Sequence, residues 1–466
     1  MNEWSHRRNI YFCCMNEEDI LNNVKGGTCP QFIIAAPSSA SGKTTVSRGL
    51  MAALVKRGMV VQPFKCGPDY IDTKFHSVVC GRRSVNLDSF LASENHIREI
   101  YARYSQGADA CIVEGMMGLF DGYSRDRGSS AEIASLLGLP VVLVVNAQSA
   151  AYSLAALLKG FIGFRQGVRI VGVLFNKVGS ARHSAMLDEV CRDLGLTCFG
   201  CLPNDADLRQ NSRYLGLDFS DLGADSGHSR LVSLVEEYVD IDRLLEMTTT
   251  VSPQYVGVAH DSAESHPNRN VVVAKDDEAF SFLYAEHVDI LRRLGRVSFF
   301  RPDSDQPIPD DTDLLYLPGG YPEKHAENLT HAQRTMNSIY RYIEAGGRTI
   351  AECGGMIYLS RGIILEDNYV PMVGVLPFSV SFLKENRKLS LGYRRFCLGD
   401  QDLRGHEFHY SSISPADWNP HDRLIDSVEV FDAKGMPTGS PVFRYKNLIA
   451  SYVHLYWGET DIMNLF

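Results

Sequence analysis

The chain has 466 residues, 45% of them hydrophobic and 22% charged, and carries a formal net charge of −10. This length exceeds one ordinary hydrophobic core and predicts two or three domains. The acidic balance argues against a general binder of nucleic acid or of membrane surfaces. No apolar run reaches the ~18 residues that a transmembrane helix needs. We therefore expect a globular protein with neither nucleic acid nor membrane as a partner.

Cysteine usage predicts a reducing compartment. The chain has 11 cysteines, an odd number, and its start lacks the apolar stretch of a signal peptide, so a cytoplasmic protein is expected. Cys198 and Cys201 form a C-x-x-C pair. Because no second pair lies near them in the sequence, we do not expect a zinc site there.

The chain alternates short apolar runs with segments long enough for helices. Residues 1–30 are polar and mixed, and predict an N-terminal extension. The first domain is predicted over residues 31–247. Uniformly apolar runs are typical of parallel strands covered on both faces. The predicted strands are 31–36, 60–65, 110–115, 140–147 and 169–178.

Residues 248–270 are polar and rich in turn formers, and predict a linker. A second α/β series follows over residues 271–466. Its predicted strands are 271–276, 296–302, 313–320 and 348–353. The expected fold class is therefore α/β, with one parallel-sheet domain followed by another.

A phosphate-binding loop is predicted between the first strand and its helix. Glycine lets the backbone approach a phosphate, lysine reaches the terminal phosphates, and the threonine hydroxyl ligates magnesium. The usual first glycine is replaced by Pro37, so the strand before the loop and the helix after it support the prediction. The predicted nucleotide-binding residues of the loop are Ser41, Gly42, Lys43, Thr44 and Thr45.

Two acidic segments follow neighbouring predicted strands. Lys65, Asp69 and Asp72 are placed just past the second strand. Glu114 is at the tip of the third strand, and Asp121 is on the loop that follows it. Open parallel sheets bind ligands at the carboxyl ends of their strands. Phosphoryl chemistry needs a metal held by a hydroxyl and carboxylates, with cations on the phosphates. We expect these five side chains to lie beside the phosphate loop.

Within this set, Thr44, Asp69 and Glu114 are the predicted magnesium ligands, and Lys65 is a second cation beside the loop lysine. Each aspartate alone has an ordinary alternative as a turn or capping residue. Asn176, at the end of a further predicted strand, is a candidate for contact with adenine, and capping is again the alternative.

A second candidate site centres on Cys353, which ends an apolar run before Gly354 and Gly355. This pattern is typical of a strand–nucleophile–helix turn, and a helix start lowers the pKa of a thiol. Taken alone, a buried structural thiol is the simpler interpretation. His454 is the predicted base. The backbone N–H groups of Gly319, Gly320 and Gly354 are the predicted oxyanion site.

Ten segments together resemble the cobyrinate a,c-diamide synthase family, glutamine-dependent amidoligases of cobalamin biosynthesis. The resemblance runs from about residue 31 to 458 and keeps the family's order. "GPDYID" favours this branch over the related cobyric acid synthases. The matching segments are "SGKTT", "PFKCGPDYIDTKFHS", "NLDSF", "VEGMMGLFDG", "RYLGL", "DEAFSFLY", "LPGGYPE", "AECGGMIYL", "RGHEFHYS" and "SYVHLYW".

The resemblance implies a P-loop domain similar to dethiobiotin synthetase, then a class I glutaminase-like domain. ATP would convert the a- and c-carboxylates of a corrin into acyl phosphates, and ammonia from glutamine would attack them. It implies Mg²⁺ as cofactor, ATP and L-glutamine as co-substrates and a tetrapyrrole as substrate, and leaves a homodimer open. By resemblance, Lys43 and Thr44 bind ATP and magnesium, Cys353 is the nucleophile and His454 is its base. The resemblance also implies two acidic motifs that serve metal binding and carboxylate activation, with the residues Asp69, Asp72, Glu114 and Asp121.

The chain departs from the family pattern in places. Class I glutaminases usually carry a glutamate two residues after the histidine, where this chain has Tyr456, so we expect a dyad or a third member from elsewhere. Tyr214 stands where the family usually shows histidine, which could alter substrate contacts. His406 and Glu407 either shape the corrin or glutamine site or form a structural turn.

Two alternatives stay open. The same chemistry could act on hydrogenobyrinate or on nickel sirohydrochlorin, which the motifs separate poorly. A protein of another class, a P-loop switch with an inactive glutaminase-like module, would show nucleotide-dependent dimerisation and no glutamine hydrolysis. The intact Cys353 and His454 argue against the switch.

Overall fold

A computed structural model describes residues 27–205, 225–255, 268–275, 278–366, 368–414, 416–417 and 428–466. Most of the predicted extension over residues 1–30, and Tyr214, lie outside the described residues. No described helix is both long and apolar enough to cross a bilayer.

The first region is a sheet with helices on both faces. Its strands are β1 (Thr28–Ala35), β2 (Val61–Cys66), β3 (Val85–Leu87), β4 (Ala110–Glu114), β5 (Val141–Asn146), β6 (Ile170–Val178), β7 (Thr197–Pro203) and β8 (Thr249–Val251). Its helices are α1 (Lys43–Lys56), α2 (Ile71–Cys80), α3 (Glu94–Tyr104), α4 (Ser130–Leu137), α5 (Leu154–Phe164), α6 (Ala181–Leu194), α7 (Asp225–Tyr238) and α8 (Ile241–Thr248).

Seven of these strands are parallel, in the order β3-β2-β4-β1-β5-β6-β7. The central strands are buried on both faces, and their side chains divide between two hydrophobic cores. The five predicted strands of this region are present. Because parallel strands end at one edge of the sheet, the loops after β1, β2 and β4 meet there.

Two predicted boundaries differ from the structure. β1 begins at Thr28, within the predicted extension 1–30, and β8 lies within the predicted linker 248–270. The two segments pair antiparallel, with Thr28 opposite Val251 and Pro30 opposite Thr249. Each segment supplies the backbone hydrogen-bond partners that the other needs, so both belong to the sheet.

The second region contains a six-stranded sheet. Its strands are β9 (Asn270–Ala274), β10 (Arg296–Phe300), β11 (Leu314–Leu317), β12 (Arg348–Glu352), β20 (Val442–Tyr445) and β21 (Leu448–Ser451). Their order is β10-β9-β11-β12-β21-β20, with β20 antiparallel to β21. Its α-helices are α9 (Ala285–Leu294), α10 (Ala326–His331), α11 (Gln333–Glu344) and α12 (Gly354–Leu359). The four predicted strands are present.

Two small sheets complete this region. Their strands are β13 (Gly362–Ile364), β14 (Tyr369–Pro371), β15 (Ser379–Ser381), β16 (Ser390–Leu398), β17 (Gln401–His409), β18 (Ser412–Ile413), β19 (Phe431–Asp432) and β22 (His454–Tyr456). The strand orders are β14-β13-β15-β18 and β19-β16-β17-β22. Many of these strands are two or three residues long, too short for a periodic signal.

Candidate active site

The phosphate loop joins β1 to α1 and leaves no room for a side chain at its glycine. Gly42 has φ 96° and caps α1, and a Cβ there would lie 2.1 Å from Nδ2 of Asn176. That Nδ2 donates a hydrogen bond to the Ser41 carbonyl at 3.0 Å. Asn176 therefore braces the loop from β6. Its predicted contact with adenine stays a prediction.

Lys43 extends along this loop toward the turn that follows β4. Its ammonium donates a hydrogen bond to the Met117 carbonyl. Burial and the nearby ammonium of Lys65 lower the pKa of Lys43. The side chain is a desolvated cation held at the edge of the loop, where a group of high negative charge would bind it strongly. Thr45 follows one residue after Thr44 in α1 and is half-buried.

The structure brings the predicted carboxylates and cations together beside the loop. The Thr44 hydroxyl donates a hydrogen bond to Oε1 of Glu114 at 2.7 Å. The Lys65 ammonium lies 4.0 Å from the same Oε1 and 3.7 Å from Oδ2 of Asp72. Oδ1 of Asp69 accepts hydrogen bonds from two backbone N–H groups of the first turn of α2. Asp69 is thus a capping residue that also faces the cluster.

The charges of this cluster are strongly coupled. Burial by itself would raise the pKa of Glu114, but Lys65, His76 and the Thr44 hydroxyl lower it to about 2. Burial and the neighbouring carboxylates Glu114 and Asp69 raise the pKa of Asp72. The cluster therefore contains one carboxylate that stays ionised, Glu114, and one whose ionisation is opposed by burial and by the neighbouring carboxylates, Asp72.

His76 is a member of this cluster that sequence reasoning missed. Its Nε2 lies 2.8 Å from Oε2 of Glu114, and its Nδ1 lies 3.4 Å from the Ser84 hydroxyl. The side chain is fully buried. Asp72 and His76 are four residues apart on α2, so they share one face of the helix. That spacing was a usable signal.

Asp121 stands slightly apart, on the loop after β4. Its Oδ2 accepts a hydrogen bond from the Gly118 N–H at 2.9 Å. A Cβ at Gly118 would lie 2.4 Å from that oxygen. Asp121 thus shapes the loop whose Met117 carbonyl accepts from Lys43, and its negative charge tends to raise the pKa of Lys43.

Cys353 sits on a strained turn between β12 and α12. Its φ of 44° and ψ of −102° are unusual for a residue with a side chain. A Cβ at Gly354 would lie 2.8 Å from the Gly320 nitrogen, and one at Gly355 would lie 2.0 Å from the Leu317 carbonyl oxygen. Only glycine fits these two positions, and the turn therefore packs directly against the Gly319–Gly320 loop.

The expected lowering of the Cys353 pKa by the helix start is wrong. The side chain is 4% exposed, and burial, followed by the charges of Glu323 and Glu407, raises the pKa of this thiol. The N-terminus of a helix as short as α12 is a small contribution beside the loss of water. The sulfur is neutral until something removes its proton.

His454 begins β22 and approaches the same glycine loop. It is 1% exposed, and a Cβ at Gly319 would lie 2.7 Å from its Nδ1. Its ring lies 5.4 Å from the ring of Tyr70 and 5.6 Å from that of Phe282. Burial, followed by the nearby imidazoles His406 and His409, lowers the pKa of His454 to about 3. The imidazole is therefore neutral, and it takes up a proton less readily than a free imidazole does.

No side chain among the described residues hydrogen-bonds Nδ1 of His454. Tyr456, at the position where class I glutaminases carry a glutamate, instead donates a hydrogen bond to Oε2 of Glu286. Glu286 also accepts from Arg103 of α3 at 3.0 Å. Tyr456 thus ties the strand of His454 to the first region rather than orienting the imidazole.

Glu352, immediately before Cys353, is a second residue that sequence reasoning missed. Its Oε1 accepts a hydrogen bond from the Leu455 N–H at 3.2 Å, and its Oε2 accepts from the Tyr316 hydroxyl at 2.8 Å. The carboxyl group thereby links β12, which precedes the cysteine, to β22, which carries the histidine. Burial raises the pKa of Glu352 to about 8.

Gly319 and Gly320 lie between the cysteine and the histidine. The Gly319 carbonyl accepts hydrogen bonds from Ser281 and Phe282 at 2.9 and 3.0 Å. Gly320 has φ 157°, and a Cβ there would lie 2.2 Å from the Ala279 carbonyl oxygen. These contacts hold the loop rigidly, with the Gly320 nitrogen beside Gly354.

The two candidate sites adjoin across an aromatic cluster. Tyr70, one residue after Asp69, stacks on Phe282 at 5.1 Å as well as contacting His454. After burial and Glu323, the charges of Cys353 and Asp69 both raise the pKa of Tyr321. The charges of both sites therefore act on Tyr321, and Tyr70 connects Asp69 to the ring of His454, so the two sites adjoin through this layer of aromatic rings.

The "RGHEFHYS" segment mainly forms structure around this layer. Glu407 accepts hydrogen bonds from Arg394, from Nε2 of His409 at 2.8 Å and from the Ser440 hydroxyl at 2.8 Å. His406 is paired in register with His454. The saturated bonds of Glu407 favour the structural alternative for that residue.

Comparison with known proteins agrees with this layout. Residues 32–215 match the model of the CobQ/CobB/MinD/ParA nucleotide binding domain, and residues 270–462 match that of the CobB/CobQ-like glutamine amidotransferase domain. A crystal structure of a glutamine amidotransferase covers 40% of this chain and 89% of its own, at 18% identity and a TM-score of 0.29, which is too low to carry an argument.

Three relatives match almost end to end. The hydrogenobyrinate a,c-diamide synthase of Brucella abortus biovar 1 is 41% identical, covering 91% of this chain and 98% of the relative. The cobyrinate a,c-diamide synthase of Caldanaerobacter subterraneus subsp. tengcongensis is 38% identical (92% and 95% covered), and that of Priestia megaterium 36% (93% and 95%). At this identity and coverage, the chain belongs to the cobyrinate and hydrogenobyrinate a,c-diamide synthase family.

Proposed function

We propose that this protein amidates the a- and c-carboxylates of cobyrinate, using ATP and ammonia from glutamine. The observation that carries the proposal is that the two sites adjoin: Tyr70, the residue after Asp69, contacts the ring of His454 at 5.4 Å. The names of the relatives support the reaction. Those names divide between cobyrinate and hydrogenobyrinate, so the macrocycle is the part of the proposal that most needs a test.

The phosphate-loop site would activate the substrate. A carboxylate is a poor electrophile, and transfer of the terminal phosphate of ATP to its oxygen gives an acyl phosphate. Lys43 and Lys65 would hold the transferring phosphate, because desolvated cations bind spreading negative charge strongly. Ammonia then attacks the carbonyl carbon, and phosphate leaves as the amide forms.

The donors at this site suit Mg²⁺. The hydroxyl of Thr44 and the carboxylates of Asp69 and Glu114 are hard oxygen ligands of the kind that magnesium prefers. Burial, and then the charges of Glu114 and Asp69, raise the pKa of Asp72, so a cation bound here would favour its ionised form. These three residues would hold the ion, which when bound neutralises phosphate charge. Asp72 and Asp121 would support carboxylate activation.

The Cys353 site would release ammonia. The sulfur of Cys353 attacks the amide carbon of glutamine while His454 takes the thiol proton and passes it to the departing ammonia, leaving a thioester that water hydrolyses to glutamate. The N–H groups of Gly319, Gly320 and Gly354 would bind the oxyanion. Both reacting groups are neutral at rest, so charge arises only when glutamine is bound.

Cys353→Ala tests the division of labour. We expect this variant to lose synthesis with glutamine and to keep synthesis with high ammonium at close to the wild-type rate. Continued use of glutamine by the variant would show that Cys353 is not the nucleophile. A wild-type protein that hydrolyses no glutamine and dimerises on binding ATP would instead support the switch alternative.

The substrate is tested by mass spectrometry of products formed from cobyrinate, hydrogenobyrinate and nickel sirohydrochlorin, offered separately with ATP and glutamine. Two sequential conversions of acid to amide identify the macrocycle. Conversion of hydrogenobyrinate or nickel sirohydrochlorin alone would overturn the choice of cobyrinate while preserving the chemistry.

We also infer a cytoplasmic setting for this reaction. The nine cysteines among the described residues are all free, which supports a reducing compartment.

A further inference from the structure

A group of metal-binding side chains lies on the far edge of the first sheet, outside the site described above. Ligand atoms of Asp188, Cys198 and Cys201 lie within 4.8 Å of one another. Two ligands of one zinc ion lie at most about 4.6 Å apart, because Zn–S is roughly 2.3 Å and Zn–O is shorter. The three atoms are therefore already spaced almost as one ion requires.

The two cysteines face the same side because β7 is irregular. Residues three apart on a regular strand point to opposite faces. Here neighbouring Val173 and Leu174 of β6 pair with Cys198 and Gly200, so β7 carries one extra residue, Phe199. Such a bulge reverses the alternation beyond it. Phe199 is buried on one face, and both thiols pack on the other.

Glycine is required at this bulge. Gly200 has φ 153°, and a Cβ there would lie 2.1 Å from the carbonyl oxygen of Tyr238. The strand therefore lies directly against the end of α7. This close packing holds the two cysteines in place on the bulge.

Helix α6 supplies the remaining donors. Asp188 and Cys191 are three residues apart and share one helix face. The thiols of Cys191 and Cys201 each lie within hydrogen-bonding reach of Cys198. The four side chains form the pattern D-x-x-C followed by C-x-x-C, with six residues between the cysteines of the two pairs. The absence of a second C-x-x-C pair concealed this arrangement in the sequence.

The group is open to solvent on one side. Cys191 is buried, Cys198 and Cys201 are half-buried, and Asp188 is exposed. Asp188, Cys198 and Cys201 border a surface depression that also exposes Glu237 and Asp240. Carboxylates at the mouth attract a cation, and thiolates behind them favour zinc over magnesium.

We propose that Cys191, Cys198, Cys201 and Asp188 form a structural zinc site. Binding Zn²⁺ releases the thiol protons to solvent and joins α6 to the edge strand β7. An ion that binds only the folded state stabilises it. The site is separate from the nucleotide and glutamine sites, and its test does not depend on the proposed reaction.

The first experiment uses the full chain, reduced and stripped with a chelator. We expect zinc to be retained at about one equivalent per chain after gel filtration. Co²⁺ should give thiolate-to-cobalt charge-transfer absorption, and excess Mg²⁺ should not displace either ion. Failure to retain zinc, or cobalt absorption without a thiolate band, would overturn the proposal.

Variants locate the metal. Cys198→Ser combined with Cys201→Ser should abolish the charge-transfer band, and Asp188→Asn should weaken binding at least about tenfold. Cys80→Ser and Cys353→Ala remove thiols elsewhere and should leave the band unchanged. A band that survives the double substitution would place the metal at another site and overturn the proposal.

Alkylation of the wild-type chain covers the case in which the double variant does not fold. Zinc should protect Cys198 and Cys201 from iodoacetamide in peptide mass spectra, while the exposed Cys397 reacts equally with and without zinc. Equal labelling of Cys198 and Cys201 under both conditions would contradict the site.

Discussion

The phosphate-loop site and the Cys353 site adjoin in one molecule, but the first holds charged groups and the second holds neutral ones. At the first, Lys65, His76 and Thr44 oppose the effect of burial and lower the pKa of Glu114 to about 2, so charge is present before any ligand arrives. At the second, burial raises the pKa of Cys353 and lowers that of His454 to about 3, so both groups are neutral.

The difference fits the ligand that each site is proposed to bind. A nucleotide brings its own charge, and a preformed set of cations and carboxylates binds it without reorganisation. Glutamine has a neutral side chain, and a charged thiolate waiting for it would be costly to bury. The strained backbone at Cys353, with φ 44°, and the rigid glycines beside it orient the reacting groups instead.

The largest expected effect comes from removing charge at the first site. Lys43→Ala should lower synthesis about 1,000-fold with either glutamine or ammonium as the nitrogen source, because the transferring phosphate loses a desolvated cation. Product formation with each source is the measurement. Lys56→Ala, an exposed lysine on the same helix, is the control. Retained synthesis with ammonium would show that Lys43 does not belong to a phosphate-binding loop.

A matched pair of glycine substitutions separates the sites. Gly319→Ala puts a Cβ 2.1 Å from Cε1 of His454, and Gly42→Ala puts one 2.1 Å from Nδ2 of Asn176. We expect each to lower its own half-reaction about 100-fold. Gly319→Ala should spare ammonium-dependent synthesis, and Gly42→Ala should not.

Gly160→Ala is the control for both, because its Cβ would meet nothing within 4 Å. Steady-state rates with glutamine and with ammonium distinguish the outcomes. Equal losses with both nitrogen sources in Gly319→Ala would mean that the two sites do not work independently.

A smaller effect is expected from substitutions of Glu352, and its size depends on which residue replaces the glutamate. Glu352→Ala cuts the link between the strands of Cys353 and His454, and should lower kcat for glutamine hydrolysis at least about tenfold with ammonium-dependent synthesis unchanged. Glu352→Gln should restore most of the rate near pH 7. With a pKa of about 8, the wild-type carboxyl group is largely protonated there, and an amide resembles it.

The same group makes a prediction about pH. Its pKa rises from the usual 4.5 to about 8 in the folded chain, so the folded state holds an extra proton between these values. The stability due to Glu352 is complete below pH 4.5 and is lost as pH rises through 8. As pH rises from 5 to 9, the thermal midpoint of the wild type should therefore fall relative to that of Glu352→Gln. A constant difference would contradict the raised pKa.

The smallest effect is expected at Asn176. Asn176→Ala removes the hydrogen bond to the Ser41 carbonyl and should raise KM for ATP about fivefold, the effect of one ordinary hydrogen bond. The same change opens space beside Gly42, so it should partly rescue Gly42→Ala. No rescue would show that the left-handed backbone, rather than the clash, makes that glycine necessary.

Local sequence was a good guide to the first site and a weaker one to the second. The loop from Ser41 to Thr45 and the acidic residues after two strands were predictable, because parallel strands end at one edge of the sheet. His76 and Glu352 were missed. Their partners, Glu114 and Leu455, are 38 and 103 residues away.

The sequence by itself determined the two α/β halves, and it predicted the phosphate loop and a cysteine and a distant histidine as reacting groups. Each of these features is indicated by a short motif or an apolar run, without knowledge of residues distant in the chain. The strands at Thr28 and Thr249, placed in a predicted extension and a predicted linker, show where local patterns stop being sufficient.

Only the tertiary structure decided the protonation of Cys353, the partner of Tyr456 and the common face of Cys198 and Cys201. A thiol's pKa depends on the water that folding removes. A bulge in β7 shifts the register by one residue and turns every later side chain to the other face. Both effects arise from segments that pack against the residue in space, and these are distant from it in the chain.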